Sequence, residues 1–189
     1  MSKKLILLIG APGSGKTTDA INIAKNHPEI TALSTGKLLE EEIEKGSAVG
    51  NIINDYLSKG ELVPTAIVID VIIDAIKNAP TDIVLLDGFP RKEKQMKIFA
   101  DFLFNHEEID LDSVIEIRVS DEVAKKRSLE SGDTPEIFEN KLRIYKSTIS
   151  DIEEFYNQKG LLKVIDGEKE LAEVIKEIDD FLKSHIALK

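Results

Sequence analysis

The segment Gly10-Ala-Pro-Gly-Ser-Gly-Lys-Thr17, placed directly after the apolar run Leu5-Ile-Leu-Leu-Ile9, leaves this chain few choices of fold. An apolar run that ends in a glycine-rich turn and then opens a helix reads as a buried strand delivering the chain to a phosphate-binding loop. Gly10, Gly13 and Gly15 let backbone N–H groups converge on a polyphosphate, Lys16 reaches the β- and γ-phosphates, and the Thr17 hydroxyl suits Mg²⁺. The helix opened by Lys16 adds the positive end of its dipole at the same point. A glycine-rich turn with a surface lysine is the plainer alternative. The agreement of strand, loop and helix signals argues against it and for a nucleoside triphosphate site.

The rest of the chain alternates strands and helices. Helical spacing runs over 18–26, from Leu38 through Ile43, over 49–57, from Pro64 as first helical residue through Ala75, and over 92–104. A helix capped by Ser120 follows, then a long one begun by Asp133 or Thr134 with Pro135 and reaching Gln158, and a last one over 171–183. Strands are expected at 31–34, 82–87, 113–119 and 161–165 in addition to the first. Alternation of this kind means an α/β fold with a mostly parallel five-stranded sheet. Three short helices between the second and third strands form an inserted arm rather than a plain crossover.

Composition narrows the function. With 35 acidic and 25 basic side chains the net charge is −10, which argues against a nucleic-acid backbone or an anionic membrane as partner. The absence of cysteine removes disulfides, zinc–thiolate sites and cysteine nucleophiles. The apolar run after Lys3-Lys4 is too short for a secretory signal and no stretch has the length of a membrane span, so a cytoplasmic protein is expected. His27, His106 and His185 are read as surface residues without a carboxylate or hydroxyl partner, so no triad and no histidine metal site is expected.

Asp87-Gly-Phe-Pro-Arg91 closes the third strand. An acid at the carboxyl end of a parallel strand beside a phosphate loop can hold Mg²⁺, usually through water, and an arginine four residues on can fork onto a phosphate. A capping aspartate with a surface arginine is the alternative for these residues taken alone.

Five motifs in this order, 10–17, Ser34-Thr-Gly36, Gly60-Glu-Leu-Val-Pro64, Asp87–Arg91 with Gln95, and Val164-Ile-Asp-Gly167, resemble the adenylate kinase family across essentially the whole chain. The resemblance implies a P-loop three-layer α/β/α fold with strand order 2-3-1-4-5 and a single domain over 1–189. It also implies a helical nucleoside monophosphate arm over 34–63 and a lid that is reduced here to 130–134. The implied reaction is reversible transfer from MgATP to AMP, giving two ADP, by a monomer. By resemblance, Gly13, Ser14, Gly15, Lys16, Thr17 and Thr18 bind the ATP phosphates and Arg127 stacks on its adenine. Thr35, Leu62 and Val63 meet the adenine and ribose of AMP, Gly88 and Arg91 its phosphate side, and Gln95 the adenine edge. Lys16, Arg91 and Lys141 are the implied catalytic cations, and Thr17 and Asp87 the metal side.

The chain departs from the family's pattern at several charges. The family's Ser-Thr-Gly-Asp-x-x-Arg stands here as Ser34-Thr-Gly-Lys37-Leu-Leu-Glu40, the lid segment Glu130-Ser-Gly-Asp133 carries no arginine, and Lys141 takes an arginine's place. Lysine supplies charge but not a two-pronged fork. Two readings follow: a phosphotransferase, slow or with a changed acceptor, and a nucleotide-binding protein of this fold that no longer transfers phosphate.

Overall fold

The computed structural model describes residues 2–59 and 61–188, so Gly60 of the Gly60–Pro64 motif lies outside the described residues. Five strands, β1 (Lys3–Gly10), β2 (Ile30–Ser34), β3 (Ile83–Asp87), β4 (Ile109–Arg118) and β5 (Leu162–Asp166), form one sheet in the order β2-β3-β1-β4-β5. Every neighbouring pair is parallel. Eight helices complete the described chain: α1 (Lys16–Asn26), α2 (Thr35–Glu44), α3 (Ala48–Ser58), α4 (Thr65–Asn78), α5 (Glu93–Asn105), α6 (Asp121–Glu130), α7 (Pro135–Gln158) and α8 (Leu171–Lys183).

The continuous apolar run of β1 is explained by cover on both faces. Leu5, Leu7 and Ile9 point into a core shared with Ile72, Phe99 and Tyr156, whereas Ile6 and Leu8 point into a second core with Ile23, Val174 and Ile178. The central strands β1, β3 and β4 thus bring their carboxyl ends together under the loops that follow them. That is where open parallel sheets bind ligands.

Local chemistry adjusts the expected boundaries. β4 starts at Ile109 rather than Ser113, because the Asp110 and Asp112 that interrupt its apolar pattern fall beside Lys4 and in a register shift between Leu5 and Ile6. Pro64 is extended and caps α4 from outside, its carbonyl accepting the N–H groups of Ile67 and Val68, rather than occupying the first helical position. Thr134 and Ser120 cap α7 and α6 with their hydroxyls, as expected. In the inserted arm α2 and α3 cross at Gly50, where a Cβ would lie 2.1 Å from the Glu42 carbonyl oxygen.

The reading of His27 as a surface residue is corrected. His27 is only 4 % exposed, and its Nε2 is hydrogen-bonded to Asp179 of α8, with Glu29 3.9 Å from its Nδ1. It ends α1 where that helix packs on α8, so the imidazole is buried by a helix distant in sequence. His106 and His185 are exposed and rest on Phe102 and Phe181.

Candidate functional site

The phosphate loop is built from backbone geometry. Ser14 N donates to Ala11 O at 3.0 Å, Gly13 has φ +79°, and Gly15 caps α1 in the left-handed region at φ +92° with no side chain closing the helix end. The first N–H groups of α1 are therefore left for an anion. A Cβ on Gly13 would meet the Ala124 carbonyl oxygen at 2.1 Å, so the loop lies directly on α6.

Lys16 and Thr17 follow in the first turn. Burial lowers the Lys16 pKa, with Asp87 opposing that shift and the cations Arg91 and Lys141 adding to it. Thr17 Oγ1 donates to Asp87 Oδ2 at 2.5 Å, whereas Asp87 Oδ1 is buried without a hydrogen-bond partner. An orphan carboxylate oxygen beside a hydroxyl is the oxygen-rich donor set that a hard divalent cation takes.

The turn after β3 fixes Arg91 on three sides. Its N–H donates to Gln95 Oε1 at 2.8 Å, its Nε donates to Gly88 O at 2.9 Å, and its carbonyl accepts from Thr148 Oγ1 at 3.1 Å. Desolvation lowers the Arg91 pKa while Asp87 raises it, so the guanidinium faces the same acid as Lys16. Thr35 Oγ1 donates to Asp87 O at 3.1 Å, which ties the start of α2 to this turn.

On the other side, Arg127 Nη1 donates to Ser14 O at 3.1 Å and to Gly167 O at 2.9 Å, linking the phosphate loop to the turn after β5. These groups border a cavity of about 570 Å³ that reaches from Gly13 and Thr18 to Leu171 and Val174. Lys141 is held by Asp133, its Nζ 2.9 and 3.1 Å from the two carboxylate oxygens, and Asp133 also accepts from Ser128 Oγ at 2.7 Å.

The sequence-derived residues divide accordingly. Lys16, Thr17, Asp87, Gly88, Arg91, Gln95 and Thr35 gather at the ends of β1 and β3, and Arg127 borders the cavity with Gly13, Ser14, Gly15 and Thr18. Leu62 is exposed, whereas the Val63 side chain is packed in the core and only its main chain is left to meet a ligand. Lys37 and Glu40 are exposed on α2 and make no ion pair among the described residues.

Three polar residues were missed by sequence reasoning. Asp19 is buried against the cavity, and burial raises its pKa to about 6 against the opposing charge of Arg127, with Asp87 raising it further. Glu116 on β4 is 1 % exposed; it accepts from Arg118 and Tyr145 and its carboxyl is raised to about 7 by burial and by its hydrogen bond to Glu153. Thr148 holds the Arg91 carbonyl from α7. A polar residue inside an apolar strand, Glu116 between Ile115 and Ile117, was the one available signal among them.

Comparison with known proteins agrees with this geometry. The family model described as adenylate kinase matches residues 8–161. The chain is 48% identical to an adenylate kinase of Sulfurovum sp., covering 97% of this chain and 100% of that protein. It is 46% identical to the adenylate kinase of Wolinella succinogenes over the same shares, and 44% identical to that of Helicobacter hepaticus over 96% of this chain and 98% of the relative. A phosphate loop, a strand-end aspartate and a clamped arginine on a 2-3-1-4-5 sheet, together with these matches, mean that the chain belongs to the adenylate kinase family.

Proposed function

We propose that this member of the family transfers the γ-phosphoryl group of MgATP reversibly to AMP, in the cleft between the phosphate loop and the Asp87–Arg91 turn. The observation that carries the reading is the convergence of Lys16, Thr17, Asp87 and Arg91. Lys16, with its burial-lowered pKa still opposed by Asp87, follows the charge of the migrating group, and Arg91 faces it from the acceptor side. Catalysis of this kind is positioning and charge cancellation and needs no covalent intermediate. Thr17 and Asp87 fit Mg²⁺, which when bound neutralises oxygens of the β- and γ-phosphates. Gln95, its carboxamide oxygen committed to Arg91 N–H, keeps its NH₂ to donate to the acceptor base.

Residues 34–63 are the acceptor arm and 130–134 the reduced lid in this reading. Lys141 is the remaining lid-side cation, and Thr35, Leu62, Val63 and Gly88 line the acceptor. Monomeric state and cytoplasmic location belong to the same proposal, supported by the net charge of −10, which disfavours anionic membrane surfaces. Among the described residues, no helix is long and apolar enough to cross a membrane.

A second reading, nucleotide binding without transfer, is favoured by the Lys141–Asp133 pair and by Glu40, which puts like charge where an acceptor phosphate would sit. ADP formation from MgATP with AMP, with each other nucleoside monophosphate and with no acceptor separates the two. Turnover with AMP that disappears in Lys16→Ala supports transfer. ATP binding with no transfer to any acceptor supports the second reading.

A further inference from the structure

Asp19 has no task in the phosphoryl transfer described above, yet it is 3 % exposed and lies against the nucleotide cavity. Its carboxylate makes no hydrogen bond or ion pair among the described residues. Arg127, the cation nearest to it by electrostatic influence, donates Nη1 to the carbonyls of Ser14 and Gly167 instead. A buried carboxylate without a donor is costly, and its oxygens can only accept.

Residue 19 follows Gly15 by four positions, so the two share one face of α1 about 6 Å apart along its axis. On that face the Arg127 guanidinium passes, its Nη1 3.7 Å from where a Gly15 Cβ would stand. The carboxylate is therefore one turn away from the N–H groups that cradle phosphate. A phosphate chain brings only acceptors to that depth. The first donors beyond it on a nucleotide are the sugar hydroxyls, before the base; Leu171 and Val174 give the same cavity apolar surface.

We propose that Asp19 reads the sugar of the bound nucleotide, accepting a hydrogen bond from a ribose hydroxyl of ATP. The assignment rests on the MgATP reading above and adds a specificity that neither the phosphate loop nor Arg127 supplies. The negative charge is kept away from the phosphates by the helix backbone and beside Arg127, and it excludes sugars that cannot donate.

The test is calorimetric binding of ATP, 2′-deoxy-ATP, 3′-deoxy-ATP and GTP to the full chain and to Asp19→Ala and Asp19→Asn. The wild-type protein is expected to bind ATP on the order of tenfold more tightly than the analogue lacking the bonded hydroxyl. Asp19→Ala erases that ratio by weakening ATP and GTP alike while leaving the deoxy analogue unchanged, and Asp19→Asn, still an acceptor, keeps part of it. The melting temperature of ligand-free Asp19→Ala is expected to be no lower than wild type, as for removal of an unpaired buried acid rather than of a structural contact. Equal affinity of the wild type for ATP and both deoxy analogues overturns the proposal, as does an equal loss for every nucleotide in Asp19→Ala. If the wild type binds none of the four, the MgATP reading itself falls, a result distinct from binding without sugar discrimination.

Discussion

The two halves of the cleft are made of different materials. On the phosphate-loop side the polar groups are set by main-chain geometry: positive-φ glycines, an uncapped helix start and strand ends locked by sheet pairing. In the function proposed above, the other groups of the cleft are side chains, Arg91 after β3 and charges on helices, with Lys37 and Glu40 exposed and Lys141 held by Asp133. A backbone cradle can be changed only by disturbing the fold, whereas a side-chain charge can be replaced by one substitution. The charge departures of this chain, Lys37, Glu40 and Lys141, are all side chains of this second kind.

The contrast is most sharply broken from the loop side. Lys16→Ala is expected to lower ADP formation at least a thousandfold with little change in melting temperature, because a half-buried cation facing the transferred charge is lost while the core clusters keep all their members. Gly13→Ala sets a Cβ 2.1 Å from Ala124 O at φ +79°; a loss of about 1–3 kcal/mol in denaturant unfolding, together with weakened ATP binding, is expected.

On the helical side the effects are smaller and one gains function. Glu40→Arg is expected to raise kcat/KM for AMP by roughly 10–100-fold, since one preorganised cation replaces a repulsive charge. No change would move Glu40 away from the acceptor. Glu116→Gln tests the coupling of β4 to α7 by pH. The folded-state carboxyl is raised from 4.5 to about 7, so the native state holds the proton and its contribution to stability is lost as pH rises through that window. Urea midpoints measured from pH 4.5 to pH 7 should fall less steeply in the variant than in the wild type. Asp133→Asn is the mildest: it removes an exposed ion pair worth at most about 1 kcal/mol and frees Lys141, so a few-fold rise in turnover at nearly unchanged stability is expected.

The same division explains what the sequence disclosed. The loop, Asp87 and the parallel strands were legible because local glycine spacing and apolar runs encode backbone geometry directly, whereas the strand order came only from the resemblance to the adenylate kinase family. Thr134 with Pro135 at a helix start was legible for the same reason. The environments of His27, Asp19 and Thr148 were not. Each depends on an element far away in the chain: α8 burying His27, the cavity wall enclosing Asp19, and α7 passing over Arg91. Burial of a polar residue is a tertiary property, and spacing along the chain carries no record of it.

The long helix α7 acts as a lever as well as a wall. Its 24 residues span about 36 Å, and it is pinned at Tyr145 and Glu153 through Glu116 and Arg118. Lys141 lies twelve residues from Glu153, about 18 Å along the axis. A tilt of about 5° around that anchor would carry Lys141 about 1.6 Å, and misplacement on the order of 1 Å is enough to cost about a hundredfold in rate. Thr148, between the two, passes a smaller share of the same movement to the Arg91 carbonyl. A tilt of this one helix over the sheet would thus displace Lys141 and the anchor of Arg91 together.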